Sequence, residues 1–75
     1  MSPPHKQTLR EVLATNVRGE RIQREWSQEV LADKADISQR QVSQIESGIP
    51  ATSVDTIEKI ARAFKVEESA LLKRR

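Results

Sequence analysis

Apolar residues recur at helical spacing along most of the chain, in short runs divided by polar turn and cap signals. Leu9, Leu13 and Val17 stand at i, i+4 and i+8. They predict a first helix from about Thr8 to Glu25, with these three facing inward. Val30, Leu31 and Ala35 mark a second helix, Val42 and Ile45 a third, and Val54, Ile57, Ile60, Ala61 and Phe64 a fourth. Val66 then leads into a short last helix carrying Leu71 and Leu72. Residues 1–7 read as a flexible tail. The expected organisation is that tail followed by one all-α domain at 8–75.

Residues 27–48 hold the densest start and stop signals. Ser27 precedes Val30 and Leu31, so its hydroxyl can accept a bond from an orphan backbone N–H. Trp26 and Leu31 have the spacing of a hydrophobic staple across that cap. Ser38 repeats the device, with Ile37 before it, Val42 in the matching position, and Gln41 completing an S-x-x-Q capping box. Two start signals this close leave the first of the pair about two turns long. Asp36 stands where the chain must reverse, and Asp tolerates the left-handed conformation better than most residues. Gly48 is a natural left-handed cap for the second helix of the pair.

On a wheel advancing about 100° per residue, Gln39, Ser43, Ser47, Arg40 and Gln44 share one side. Val42 and Ile45 fall on the opposite side. One edge is core, and the other offers amides, hydroxyls and a guanidinium. Such a face has nothing to catalyse with, but its donors and acceptors match the edges of DNA bases. Many short surface helices look like this alone. Coupling to a capped helix of set length immediately upstream sets this one apart.

With these signals in place, the chain resembles the helix-turn-helix family of lambdoid phage repressors and Cro, the Xre-like regulators also used by bacteria. The residues at the family's spacing include Arg18, Arg21, the run Ser27-Gln28-Glu29-Val30-Leu31-Ala32, Val42, Ile45, Glu46 and Gly48. Ser53, Ile57, Ile60-Ala61, Phe64, Val66 and Leu71 continue the match, which covers roughly residues 12–72. The resemblance implies a compact five-helix bundle whose third helix enters the major groove. Carried over residue by residue, it gives Gln39, Arg40, Ser43 and Gln44 to the bases. Gln28, at the second helix's N-terminus, would bind phosphate, with Arg18, Ser47 and Ser53 as further phosphate contacts. Arg21 and Glu46 match an ion pair joining the first and third helices, against the alternative of two independent surface charges. An exposed pair would contribute only about 0–1 kcal/mol, so its expected role is positioning.

The chain departs from the family at several places. Glu25, Asp36 and Lys65 stand where the family often has Gly. Gly19 falls inside the first helix, where it costs about 0.5–1 kcal/mol relative to Ala. Glu68 replaces a usual apolar residue at the start of the last helix. The loop Ile49-Pro50-Ala51-Thr52 contains no Lys or Arg, whereas relatives often place phosphate-contacting cations there.

Composition narrows the classes. Seventy-five residues make one domain with a small core and no room for a second, sensing domain. No Cys occurs, which excludes disulfides and thiolate metal sites and is compatible with a reducing cytoplasm. The sole His, His5, lies in the expected tail beside Pro3 and Pro4, and the chain offers no nucleophile–base pair and no Gly-rich phosphate cradle. No enzyme, metal or cofactor is expected. Trp26 and Phe64 are the only aromatics, too few for stacking on single-stranded bases. No apolar run approaches the ~18 residues of a membrane span, and no signal peptide is visible. Net charge is +2, distributed as +2 over residues 1–26, −2 over 27–50 and +2 over 51–75. Arg18, Arg21, Arg24 and Arg40 are candidates for a positive rim around an acidic middle.

The expected function is sequence-specific binding of double-stranded DNA in the cytoplasm, at the nucleoid. The protein would regulate transcription as a homodimer on a palindromic operator, with no small-molecule effector evident. Leu72, Ile49 and Leu9 are the candidate contacts between protomers, with ordinary core the alternative for Leu72. The acidic middle and the cation-free loop favour one rival, a protein-interaction or antitoxin-type module on the same fold.

Overall fold

The computed structural model describes residues 7–49 and 51–75. The expected tail, with His5, falls outside the described residues apart from Gln7, and so does Pro50 of the loop. Among the described residues five helices follow in order: α1 (Leu9–Gln23), α2 (Gln28–Ala35), α3 (Gln39–Ser47), α4 (Val54–Phe64) and α5 (Glu68–Leu71). No strand occurs among the described residues. The all-α class and the five-helix arrangement are therefore as expected.

Each boundary has a local cause. Ser27, Ser38 and Ser53 cap α2, α3 and α4 by accepting from Val30 N at 3.1 Å, Gln41 N at 3.1 Å and Thr56 N at 3.1 Å. Gln41 returns the favour by accepting from Ser38 N at 3.0 Å. Thr8 and Glu11 form a second capping box at the head of α1, from a T-x-x-E signal legible in the chain. The helices stop where the chain turns left-handed. Asp36 (φ 57°) ends α2, Gly48 (φ 73°) ends α3, Lys65 (φ 60°) ends α4, and Glu25 (φ 59°) follows α1. The three non-glycine cases are the three positions where the family often has Gly.

Leu13, Val17, Leu31, Ala35, Val42, Ile45, Ile60, Ala61, Phe64 and Leu71 close into one buried cluster. α3 packs against α1 and α2, α2 also against α4, and α5 bridges α1 and α4. Three apolar positions depart from the expected pattern: Leu9 is 52% exposed and Val54 80% exposed, because each opens its helix before that helix meets the core, and Val30 in the first turn of α2 is 36% exposed.

α5 is a single turn, held to α1 by the buried Asn16 carboxamide, which donates to Leu71 O at 2.9 Å and Lys73 O at 2.8 Å, while Arg75 reaches Glu20 at 3.1 Å. Asn16 lies three residues beyond Leu13 on the inward face of α1, and a polar residue at such a position needs partners. That signal was available in the sequence.

Candidate nucleic-acid interface

α3 is held so that its polar face is outside. Val42 and Ile45 are buried, while Gln39, Arg40, Ser43 and Gln44 are all exposed. None of these four side chains makes a hydrogen bond or ion pair among the described residues. Gln41, by contrast, is spent on the Ser38 cap. The unengaged groups are two carboxamides, a guanidinium and a hydroxyl along one side of a nine-residue helix.

Arg21 and Glu46 fasten this helix to α1. Arg21 Nε donates to Glu46 Oε2 at 2.7 Å and Nη2 to Oε1 at 2.9 Å, a bidentate pair. A third bond from Arg21 Nη1 reaches Trp26 O at 2.9 Å. The side chains are only 14% and 6% exposed, so the small worth of an exposed pair does not apply. The Glu46 carboxylate raises the Arg21 pKa above its ordinary value, partly opposed by burial. Gln28 joins the same node, its Nε2 donating to Glu46 Oε1 at 3.2 Å. One N–H of the Gln28 carboxamide is thereby engaged, and a second remains.

The other sequence-derived residues are distributed as follows. Arg18 is exposed on α1. Ser47 donates to Gln44 O and accepts from Ile49 N at 3.4 Å. Ser53 donates to Thr56 Oγ1 at 2.8 Å beside its cap bond. Ile49 is 77% exposed, whereas Leu72 is half-buried against the core.

The positive rim is smaller than expected. Arg21 is neutralised by Glu46. Arg24 turns inward, bonding Glu20 Oε1 at 2.8 Å and Phe64 O at 2.9 Å. Its guanidinium lies 4.7 Å from the Phe64 ring centroid and 5.7 Å from that of Trp26. The two rings stack on each other at 5.5 Å, with Lys34 Nζ 5.1 Å from Trp26. Both aromatics are thus used within the fold. Arg18 and Arg40 remain of the four. Arg10, absent from the expected rim, donates to Ile49 O at 3.2 Å.

A capped α2, a left-handed Asp36 turn and an outward polar α3 form the geometry of a helix-turn-helix, and the model of the family described as Helix-turn-helix (HTH_3) matches residues 17–71. The chain belongs to that family. A hypothetical transcription factor from Neisseria meningitidis serogroup B is 39% identical over 69 residues, spanning 92% of this chain. This helix-turn-helix chain covers 65% of that relative's length. The crystal structure of hypothetical transcription factor NHTF from Neisseria superposes with a TM-score of 0.86 at 37% identity, covering 97% of this chain and 84% of that one. The restriction-modification controller protein C.AhdI from Aeromonas hydrophila gives a TM-score of 0.79 at 27% identity, covering 83% and 94%. The chain thus shares its family and fold with proteins described as transcription factors and a restriction-modification controller. Among the described residues no helix is long and apolar enough to cross a membrane.

Proposed function

We propose that this helix-turn-helix chain regulates transcription by sequence-specific binding to double-stranded DNA, with α3 in the major groove. One observation carries the reading: Gln39, Arg40, Ser43 and Gln44 stand exposed and unengaged on a helix whose other edge is locked into the core. Gln39 and Gln44 suit adenine N6 and N7, Arg40 suits guanine O6 and N7, and Ser43 is small enough for close approach. Gln28 and Arg18 are the proposed phosphate contacts, with Ser47 and Ser53 after rotation of their hydroxyls.

A single unit of this kind reads few base pairs. The proposed species is therefore a homodimer on a palindromic operator, with half-sites about 10 bp apart. Leu9, Ile49 and the open part of Leu72 are the candidate protomer contacts, and the cytoplasmic nucleoid is the proposed location. Selection of bound duplexes from a random pool tests this, with a palindromic consensus expected. Arg40→Ala should cost about 1–3 kcal/mol of discrimination at one base pair. A variant with unchanged affinity and base preference would refute the placement of α3.

The net charge of −2 over residues 27–50 favours a second reading, a protein-interaction or antitoxin-type module. Salt titration separates the two. A phosphate-contacting protein loses affinity with a log–log slope of about −0.9 per contact, and a chain that binds no duplex at low salt would support the module.

A further inference from the structure

We infer that Arg10 is a phosphate-contacting residue of the duplex interface, supplying from α1 the cation that the loop after α3 lacks. The inference rests on the DNA-binding reading above and adds to it a residue outside the helix-turn-helix itself. Residues 49–53 contain no Lys or Arg. Arg10 fills that gap in space: its Nη1 donates to Ile49 O at 3.2 Å, across 39 residues of sequence.

The nature of this anchor matters. Arg21, Arg24, Arg62 and Arg75 are each paired with a carboxylate. Arg10 is exposed, and its described partner is a neutral carbonyl. A carbonyl orients a guanidinium without cancelling its charge. Five N–H donors are available to such a group, and this contact uses one. The adjoining Glu11 carboxylate is turned back to Thr8 N at 2.8 Å in the capping box of α1.

Position supplies the rest of the argument. A Cβ on Gly48 would stand 3.7 Å from Glu11 Cα and 3.7 Å from Ala14 Cβ, so the end of α3 rests on the first turns of α1. An open depression there is lined by Arg10, Glu11, Ser47 and Gly48 among others. Ser47 is the last residue of α3, on the same side of its wheel as Arg40. A cation beyond the end of a groove-lying helix meets the margin of the groove, where phosphates run, and not the base edges.

The test compares the full chain with its Arg10→Ala and Arg10→Lys variants, on a duplex recovered by selection and on an unrelated duplex, as salt is varied. Loss of Arg10 should weaken binding to both duplexes by a similar factor. It should flatten the log–log salt slope by about 0.9 per bound chain and leave the selected consensus unchanged. Arg10→Lys should recover most of the slope, because it keeps the charge. Thermal melting of each variant, expected near that of the parent chain, guards against misfolding as the cause. An Arg10→Ala protein that keeps the parent slope would overturn this inference while leaving duplex binding intact, as would a shifted consensus at an unchanged slope. A parent chain with no salt-dependent duplex binding would remove both readings together.

Discussion

Gly19 lies in the interior of α1, and a Cβ built there meets nothing within 4 Å. The residue therefore carries the entropic cost of glycine in a helix without any packing that demands it. Gly19→Ala should stabilise the fold by about 0.5–1 kcal/mol, raising the melting temperature by about 2–8 °C, as calorimetry would read. Gly48 is a different case. The neighbours of its virtual Cβ lie at ordinary contact distance, but its φ of 73° is one that side-chain-bearing residues rarely adopt. Glu25, Asp36 and Lys65 accept comparable φ values without being glycine. Asp is the best suited of the three to that conformation.

At the scale of elements, two polar nodes set how the helices meet. Arg21, Glu46 and Gln28 tie α1, α3 and the start of α2 together. Glu46→Ala should cost about 2–3 kcal/mol, because Arg21 would be left largely buried without its carboxylate. The paired change Arg21→Met with Glu46→Leu should cost less than the single one. Chemical denaturation of the parent, Arg21→Met, Glu46→Leu and the double variant gives the coupling. The second node is Glu20, bonded by Arg24 and Arg75. The hydrogen bond from Arg24 is the main cause that holds the Glu20 carboxyl below its ordinary pKa, against burial that raises it. A carboxyl depressed in the folded state stabilises above its unfolded pKa, about 4.3, and that contribution is lost as pH falls through the lower folded value. Glu20→Gln should accordingly flatten the decline in stability on acidification below about pH 5. A melting curve measured against pH would show it.

For the whole molecule, assembly is read by a direct measurement. With a palindromic duplex, sedimentation should give two chains of 8.5 kDa per duplex. A single chain at saturating micromolar concentration would remove the homodimer, and with it the proposed roles of Leu9, Ile49 and Leu72. The helix-turn-helix and its flanks were legible at this scale because cap and staple signals are local: Ser27, Ser38, Asp36 and Gly48 act on backbone within a few residues of themselves. Arg24 was misread because a guanidinium on a helix carries no mark of the partner it finds. Phe64 O lies 40 positions away in sequence and meets Arg24 only after α1 and α4 have packed.

The sequence by itself determined where five helices start and stop, which edges are apolar, and that one short helix shows Gln, Arg and Ser to the outside. Period and capping are properties of adjacent residues, so they survive without any knowledge of the fold. Tertiary structure alone decided which charges remain available. It spent Arg21 and Arg24 on internal carboxylates and carbonyls, closed α5 with Asn16, and brought Arg10 beside a loop that has no cation. Those outcomes depend on distances between residues far apart in the chain, and only packing sets such distances.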